Sequence, residues 1–481
     1  MGFKLALFNV ADYTGASRFS SLGLAYLASY LRKYSSVREI HILEKNVLAK
    51  LKKIRPNAVG IFSVTQTFNE ASLVAGIIKK ELNNIPVIIG GYHISALPYN
   101  LSRDFDVGVL GEGEETLREL MEVVSKHGFR SDFISRINGI VFHRGGSVEV
   151  TDKRKFIENI DSIPFPARDL LPKTPFPGII TSRGCPYKCI FCSSANFWGN
   201  PRYHSCDYVV DEMTQLIRVN RAVHISIWDD LFIANLPRLE KIDSLMAKKR
   251  INKKVSLGCA LRSNLVNPKL CALLKSMNVK RVSIGFESGS QKILDSLKCS
   301  SVTVEQHIKA VELCKSAGFH ISGTFMVGSP DETEEDLLNT LSLVKKLKLH
   351  GGGSLSLTVP LPGTSLWEYA KQKKLVGEAI DYSRIGIMST DFSDPDGFKG
   401  ILLTDKISRT AFFRVAQEIQ RETNKYYIRG LFQKMSFSLV NIRFVLARPR
   451  EVLGILRFII RSLLRRAKVM ERYQFYYKKS N

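Results

Sequence analysis

Blocks of apolar positions alternate with amphipathic blocks through residues 1–130, and the two kinds of block differ in period. Short apolar runs typical of buried strands occupy 3–9, 39–43, 58–62, 87–90 and 107–110, and runs with a helical period occupy 20–34, 47–54, 68–82 and 114–126. Strands that alternate with helices in this way favour a parallel sheet covered by helices on both faces. Residues 1–135 are therefore predicted to form a doubly wound, flavodoxin-like α/β domain.

The pattern changes at residues 136–175, after which the strand–helix alternation returns. Two glycines between alternating runs predict a hairpin at 139–150, and spaced prolines at 163–169 predict an extended connector. From 176 to 375 the strand candidates are 178–181, 222–228, 254–259, 281–286, 320–327 and 353–359. Six such strand–helix units fit a partial (β/α)6 barrel. Residues 376–481 are predicted to form a helical C-terminal region.

The residues that follow the strands of the first domain are mostly glycines and small hydroxyl residues. An open doubly wound sheet binds its ligand beyond the carboxyl ends of its strands, which makes these residues candidate ligand contacts. They are Asn9, Ser63, Thr65, Gly90, Gly91, His93, Gly111, Glu112 and Gly113. Small residues let the backbone approach a large flat ligand, and the segment 111–114 opens a helix whose first amides can receive polar groups. Ordinary turns are the alternative for the glycines, and a hydrogen-bonded surface imidazole is the alternative for His93.

Composition is ordinary except for charge. The 481 residues are 44% hydrophobic, which suits packed cores in two or three domains, but the formal net charge is +25. Residues 425–481 hold 14 Lys or Arg against two Glu. One face of a predicted helix at 450–472 carries Arg450, Arg457, Arg461, Lys468 and Arg472, and the opposite face is apolar. Such a helix suits an anionic membrane surface; a partner-facing helix and, less favoured, nucleic-acid binding are the alternatives.

Three cysteines lie close together in the segment 185–192, which reads Cys-Pro-Tyr-Lys-Cys-Ile-Phe-Cys. A [4Fe–4S] cluster normally takes four cysteine ligands. Cys185, Cys189 and Cys192 on one loop would therefore hold a cluster with one iron open to another ligand. A zinc site usually needs a second ligand pair at close spacing, and none follows in the sequence. The other five cysteines are scattered singly and are predicted to be buried hydrophobic residues.

Polar residues also stand at the carboxyl ends of the predicted barrel strands, where barrel enzymes gather their functional groups. The candidates are Asp229, Asp230, Arg262, Glu287, Ser288, Gly323 and Gly328. A carboxylate such as Glu287 inside an apolar strand is costly unless it faces a polar partner. Taken singly, the two aspartates are equally compatible with a helix cap, and Glu287 with an ion pair to Arg262.

The cysteine spacing followed by this ordered set resembles the radical S-adenosylmethionine (SAM) superfamily. The resemblance implies that the amino and carboxylate groups of SAM chelate the open iron of the cluster. It also implies SAM contacts for the barrel residues, with Asp229 and Asp230 near the methionine amino group and Glu287 at the ribose. Gly323 and Gly328 would line the adenine side, against which Phe191 would pack. Ser288 and Arg262 are predicted cofactor contacts at the same strand ends.

The order of strand-end loops in the first domain, together with residues 21–28 on its first helix, resembles the cobalamin-binding domain of one branch of that superfamily. The resemblance implies that these loops bind cobalamin. One departure concerns the cobalt: domains of the methionine synthase type carry a histidine ligand in a D-x-H-x-x-G motif. This chain has Asp-Tyr-Thr-Gly at 12–15 and no histidine there. The lower ligand of cobalt is therefore left unassigned.

The resemblance predicts a cobalamin-dependent radical enzyme that methylates an unactivated carbon. Radical cyclisation or rearrangement of a natural-product or lipid-like substrate is the alternative, and an iron–sulfur redox sensor is the non-enzymatic one. The expected partners are an organic substrate, an external flavodoxin-type or ferredoxin-type electron donor and an anionic membrane surface. Few cysteines and a strand-like start predict a cytoplasmic protein. The basic helix at 450–472 adds peripheral contact with the inner face of the membrane to this prediction.

Overall fold

The computed structural model describes residues 3–13, 21–377, 380–386 and 390–440. Within these ranges the strands are β1 Lys4–Asn9, β2 Glu39–Leu43, β3 Ala58–Phe62, β4 Val87–Gly90, β5 Val107–Val109, β6 Ile140–Arg144, β7 Ser147–Val150, β8 Gly178–Ile179, β9 Ser182–Arg183, β10 Arg202–Tyr203, β11 His224–Ile227, β12 Ser256–Leu261, β13 Val279–Glu287, β14 His320–Val327 and β15 Gly353–Leu357.

The same ranges contain the α-helices that connect and cover the strands. They are α1 Val10–Tyr13, α2 Leu22–Tyr34, α3 Val47–Ile54, α4 Phe68–Glu81, α5 Tyr92–Ala96, α6 Gly113–His127, α7 Ser131–Ile134, α8 Ser193–Trp198, α9 Cys206–Val219, α10 Leu236–Lys248, α11 Pro268–Ser276, α12 Gln291–Lys298, α13 Val304–Ser316, α14 Glu334–Leu347, α15 Ser365–Gln372 and α16 Arg409–Val440.

The first sheet has the order β2-β1-β3-β4-β5, with all four of these pairings parallel. This is the flavodoxin-like order, and it confirms the predicted doubly wound fold. Alternate residues of β1 belong to different cores because side chains alternate across a strand. Leu5 and Leu7 pack with α2 and α6, whereas Ala6 and Phe8 pack with α3 and α4.

The predicted hairpin extends this first sheet. Strand β6 pairs antiparallel with β5, and β7 pairs antiparallel with β6. Its buried residues explain the placement, because Ile140 and Phe142 complete one core while Val141 completes the other. The sequence predicted the turn correctly but assigned the hairpin to the region between the domains, since its pairing partner β5 lies far upstream.

The second large sheet holds six parallel strands in the order β15-β14-β13-β12-β11-β8. Sequential order with a helix after nearly every strand is the pattern of a partial (β/α)6 barrel, as predicted. One face is apolar and buried, as in Leu257, Ile284 and Phe325. The alternate positions are small and less buried, as in Ser283 and Thr324, so this second face is open and polar.

The C-terminal region packs on the last strands of the barrel. Helix α16 begins at Arg409, and Phe412, Phe413 and Ala416 from its first turns are buried in the main core. No helix in the described part of the chain is both long and apolar enough to cross a membrane. The basic helix predicted at 450–472 lies outside the described residues.

Candidate active site

The three clustered cysteines lie on the loop between β9 and α8, and each side chain is half-buried. This loop is fastened to the C-terminal end of α12, because the Ile190 amide donates to the Leu297 carbonyl oxygen at 3.0 Å. Within the loop, the Cys192 amide donates to the Cys189 carbonyl oxygen at 3.1 Å. The backbone thus holds three thiols on one short, anchored segment.

The chemistry of these thiols suits an iron–sulfur cluster. Burial raises the pKa of Cys185 and raises the pKa of Cys192 to about 11, so these two thiols stay protonated at neutral pH when no metal is bound. Binding of iron would release those protons. Across the described residues, no three His, Cys, Asp or Glu side chains converge on one point as a single-ion site requires. Three thiols on one short segment suit a [4Fe–4S] cluster, which takes its cysteine ligands on separate irons.

The two aspartates after β11 accept hydrogen bonds from residues on both sides of the cysteine loop. The buried carboxylate of Asp229 accepts hydrogen bonds from the Thr181 amide and hydroxyl, both at 2.5 Å, and from the Ser182 hydroxyl at 2.7 Å. Burial raises the pKa of Asp229. Asp230 is exposed, and it accepts from the Gly184 amide at 3.1 Å and the Ser194 hydroxyl at 2.7 Å. Asp229 therefore joins β11 to the end of β8, and Asp230 joins the two ends of the cysteine loop.

The helix-cap alternative for these aspartates is wrong. The N-cap of the following helix α10 is Asn235, whose side chain accepts from the Arg238 amide at 3.1 Å. All three hydrogen bonds to the buried Asp229 carboxylate come from Thr181 and Ser182. Asp230, by contrast, is exposed to solvent.

Glu287 ends β13 in an unusual backbone conformation. Its φ is +62°, and the register of β13 against β14 shifts between Gly285 and Glu287. The carboxylate folds back over Gly285, where any Cβ would collide with it. Its Oε1 lies 3.1 Å from the Nζ of Lys298, which also donates to the Gly285 carbonyl oxygen at 2.5 Å. Both charged side chains are buried.

The pairing of Glu287 corrects the sequence interpretation. Arg262, the expected alternative partner, instead lies against the cysteine loop, where its Nη1 is 3.4 Å from the Cys189 Sγ. Sequence reasoning missed Lys298 because a lysine in the last turn of a helix usually faces solvent. Only the shifted register of β13 brings the carboxylate within reach.

The remaining predicted barrel residues are Phe191, Ser288, Gly323 and Gly328, and each makes a contact within the protein. Ser288 is buried and its Oγ lies 3.2 Å from the Thr340 Oγ1 of α14. Gly323 leaves room for the Phe286 ring on the helix side of the sheet. The Gly328 amide, at the end of β14, donates to the Glu332 carboxylate at 2.5 Å. Phe191 is partly buried and packs against the main core. Of these, Phe191 lies within the cysteine loop, and Ser288 and Gly328 directly follow the ends of β13 and β14.

The strand ends of the first domain bring Ser63, Gly90 and Gly91 together. The Ser63 amide donates to the Gly90 carbonyl oxygen at 3.0 Å. Gly91 has a φ of +124°, and a Cβ there would collide with the Ser63 carbonyl oxygen, so only glycine fits. The buried Thr65 Oγ1 has no hydrogen-bond partner among the described residues. Asn9, at the end of β1, accepts from the Ala11 amide at 3.1 Å. An orphaned hydroxyl beside close-packed glycines fits a site for a large ligand.

His93 is enclosed instead of exposed. Its ring stacks on Phe68 at 4.0 Å between centroids and meets the edge of Tyr382 at 4.4 Å. Burial lowers its pKa to about 3, and neither ring nitrogen has a partner within the described ranges. The surface alternative is therefore wrong.

The segment 111–114 makes ion pairs that the sequence did not predict. Glu112 and Glu114 pair with Arg183, and Glu112 also pairs with Arg202 at 3.1 Å. We call these four residues the interdomain ion cluster. Three of them are buried, and Arg202 is half-buried. The N-terminus of α6 thus binds the arginine that stands two residues before Cys185.

The two neighbouring glycines make contacts within the first domain. The Gly111 amide donates to the Ser95 Oγ at 2.9 Å, and Gly113 leaves room for the Leu27 side chain on α2. The sequence could not show the ion pairs of this segment because the arginines lie about 70 and 90 residues downstream.

Comparison with known proteins gives the family. The sequence model of the radical SAM superfamily matches residues 179–344, and that of the B12 binding domain matches residues 12–121. The chain is 35% identical over 371 residues to the "Uncharacterized methyltransferase PH0819" of Pyrococcus horikoshii, covering 74% of this chain and 79% of the relative. The chain belongs to the cobalamin-binding branch of the radical SAM superfamily. The predicted resemblance is confirmed, and with it the assignment as an enzyme.

More distant members of this branch share the fold. The hopanoid C-3 methylase of Methylococcus capsulatus is 24% identical over 73% of this chain and 68% of its own length. The radical SAM methyltransferase TsrM of Kitasatospora setae superposes with a TM-score of 0.65 at 18% identity, covering 79% of this chain and 80% of TsrM. A [4Fe–4S] cluster, SAM and cobalamin are the cofactors of this branch, as predicted from the sequence.

Proposed function

We propose that this chain methylates an unactivated carbon of an organic substrate, with Cys185, Cys189 and Cys192 as the cluster ligands. The observation that carries the proposal is the anchored loop of three thiols beside a cobalamin-type domain, in a chain whose 35% identical relative is named a methyltransferase. When bound, the cofactors supply a radical that removes hydrogen from carbon and a methyl group that replaces it.

The residues of the chain would bind and orient these cofactors. Asp230 and Glu287 offer carboxylates near the cysteine loop for the polar groups of SAM, and Phe191 offers an apolar surface for adenine. The strand-end loops of the first domain, with Thr65 and Gly91, would hold cobalamin. The orphaned Thr65 hydroxyl supports this role because a buried polar group without a partner is costly.

Reconstitution tests the cluster ligands. The anaerobically prepared wild-type protein should bind one [4Fe–4S] cluster and, once reduced, convert SAM to 5′-deoxyadenosine. The variant with Cys185, Cys189 and Cys192 all changed to Ala should do neither. A variant with Cys206→Ala, a buried cysteine on α9, is the matched control and should do both. Retention of the cluster by the triple variant would refute the assignment.

Isotope labelling tests the reaction. SAM that carries a deuterated methyl group should transfer that methyl to one product when reduced, cobalamin-loaded protein is incubated with an extract of its source cells. A product that loses hydrogen without gaining label would indicate cyclisation instead, as in the magnesium-protoporphyrin IX monomethyl ester cyclase relative at 24% identity. Failure of the wild-type protein to take up cobalamin would exclude the methylation proposal altogether.

Two partners complete the proposal. A reduced flavodoxin-type or ferredoxin-type donor would supply electrons to the cluster from the cytoplasm. The basic segment 450–472 would hold the protein on the inner face of an anionic membrane, since each cation near such a surface contributes on the order of 1 kcal/mol. Cosedimentation with anionic and neutral vesicles, compared with a chain that ends at residue 448, tests the second point. Equal binding by both chains would remove it.

A further inference from the structure

Arg262 lies against the sulfur of a candidate cluster ligand. It follows the end of β12, and its Nη1 is 3.4 Å from the Cys189 Sγ, within hydrogen-bonding range for sulfur. The sequence predicted a SAM contact for this residue. The structure instead directs its guanidinium toward the cysteine loop, on which the cluster would be built.

The guanidinium is fixed from two further sides. Its central carbon lies 3.8 Å from the centroid of the Tyr187 ring, which stands between two of the cluster cysteines in the sequence. The hydroxyl of Tyr187 accepts from the Asn264 side chain at 2.9 Å, and the second terminal nitrogen of Arg262 donates to the Ser301 hydroxyl. A stacked and hydrogen-bonded arginine has little freedom to turn elsewhere.

The charge of Arg262 lacks an acidic partner. Only 8% of the residue is exposed, and within the described chain it forms no ion pair with a carboxylate. Its Nε also has no hydrogen-bond partner in the same part of the chain. A buried cation without a counter-charge is strongly destabilising. The surroundings of Arg262 therefore suit an anionic group, and a deprotonated Cys189 sulfur in a bound cluster would be within reach.

We propose that Arg262 donates a hydrogen bond to the Cys189 sulfur of the bound cluster and thereby makes the cluster easier to reduce. This inference rests on the proposed function, because it takes Cys189 as a cluster ligand. Hydrogen bonds and positive charge at cluster sulfurs raise the reduction potential by favouring the more negative, reduced state. Arg262 is thus a positioning residue that acts through Cys189, held in place by Tyr187.

A redox titration of the cluster tests the proposal without using activity. The proteins are reconstituted anaerobically, their iron is counted, and the reduced cluster is followed by electron paramagnetic resonance in the absence of SAM. At the wild-type midpoint potential, Arg262→Gln should lower the ratio of reduced to oxidised cluster at least tenfold. This corresponds to a shift of about 59 mV or more for a one-electron couple. Arg262→Lys keeps the charge and should give a smaller shift in the same direction.

A matched control and a binding measurement complete the experiment. Arg281→Gln removes the same charge at the opposite end of the barrel, from an exposed position at the start of β13, and should leave the potential unchanged. SAM affinity is measured on the oxidised proteins. An unchanged potential in Arg262→Gln together with a loss of SAM affinity would overturn the proposal and assign Arg262 to the SAM carboxylate.

Failure to assemble the cluster is also informative. If Arg262→Gln takes up no iron, the potential of Arg262→Lys decides, and a wild-type potential there would overturn the proposal by showing that Arg262 only supports the loop. Failure of the proposed function has a different signature, because the wild-type protein would then itself lack the cluster.

Discussion

At the scale of single residues, the fold tolerates several buried ionisable groups whose surroundings set their charge. Glu332 is fully buried after β14, where one carboxylate oxygen accepts from the amides of Gly328 and Ser329 and the other has no partner in the described structure. Loss of hydration outweighs those two hydrogen bonds and raises its pKa to about 8. The fold therefore favours the protonated acid.

Replacement of Glu332 tests this pKa. Because the pKa is raised in the folded state, Glu332 stabilises the fold fully at low pH, and this contribution is lost as pH rises from about 4.5 to about 8. Glu332→Gln should gain stability relative to wild type over that range, by an amount on the order of a few kcal/mol. Urea unfolding of the anaerobic proteins at several pH values measures the difference, with Glu335→Gln, an exposed position on α14, as the control. A difference that does not change with pH would contradict the raised pKa.

The buried pair of Glu287 and Lys298 gives a second test at this scale. Glu287→Gln should cost about 3–5 kcal/mol because it leaves the lysine charge buried and unpaired, and Lys298→Met should cost a similar amount. The double variant should recover much of that loss. SAM binding by the double variant then shows whether Glu287 contacts SAM or only pairs with Lys298. A stable double variant that binds SAM normally would show that Glu287 serves only the fold.

At the scale of elements, a group of buried ion pairs joins α6 of the first domain to β9 and β10 beside the barrel. The interdomain ion cluster is buried, and Glu112 also accepts from the Ile157 amide at 2.7 Å, which fixes the connector between the domains. A second pair spans the same region but is more exposed, with Arg32 on α2 and Asp169 in the connector at 2.9 Å.

These two contacts should differ sharply in strength. Glu112→Gln removes the negative charge that pairs with Arg183 and Arg202. It should destabilise the protein by about 3–5 kcal/mol. Asp169→Asn breaks the exposed pair and should cost about 1 kcal/mol or less. Thermal unfolding and tryptic cleavage near Lys153 and Lys155 measure both, and the Glu112 variant should be cut faster. Equal effects would mean that burial adds nothing to the connection.

The sequence predicts elements better than it predicts the roles of their ends. Strand β14 was predicted with its observed bounds, because alternating buried positions between two glycine-containing turns need no information from distant parts of the chain. The arginine partners of Glu112 were not predicted, because they are set by the docking of two domains. Glu287 was placed at the correct strand end, but its left-handed φ and its lysine partner depend on a register shift that no local pattern reports.

At the scale of the whole molecule, the order of domains was predictable and the contacts between them were not. The cysteine spacing and the glycine-rich loops were enough to predict the family and its cofactors. The C-terminal region was predicted only as helical, yet residues beyond the barrel return to the first domain. The Asn69 amide donates to the Asp381 carboxylate at 3.1 Å, and Tyr382 covers the His93 ring.

The contact between Tyr382 and His93 has a consequence for how the protein is made. The first domain leaves the ribosome early, but the ring that covers Phe68 and His93 is encoded far downstream. Translation at about 5–20 residues per second separates the two by on the order of ten seconds or longer. During that interval an apolar patch of the nascent domain stays uncovered. A chaperone that shields such patches during synthesis should therefore improve the yield of this protein more than one that acts after release.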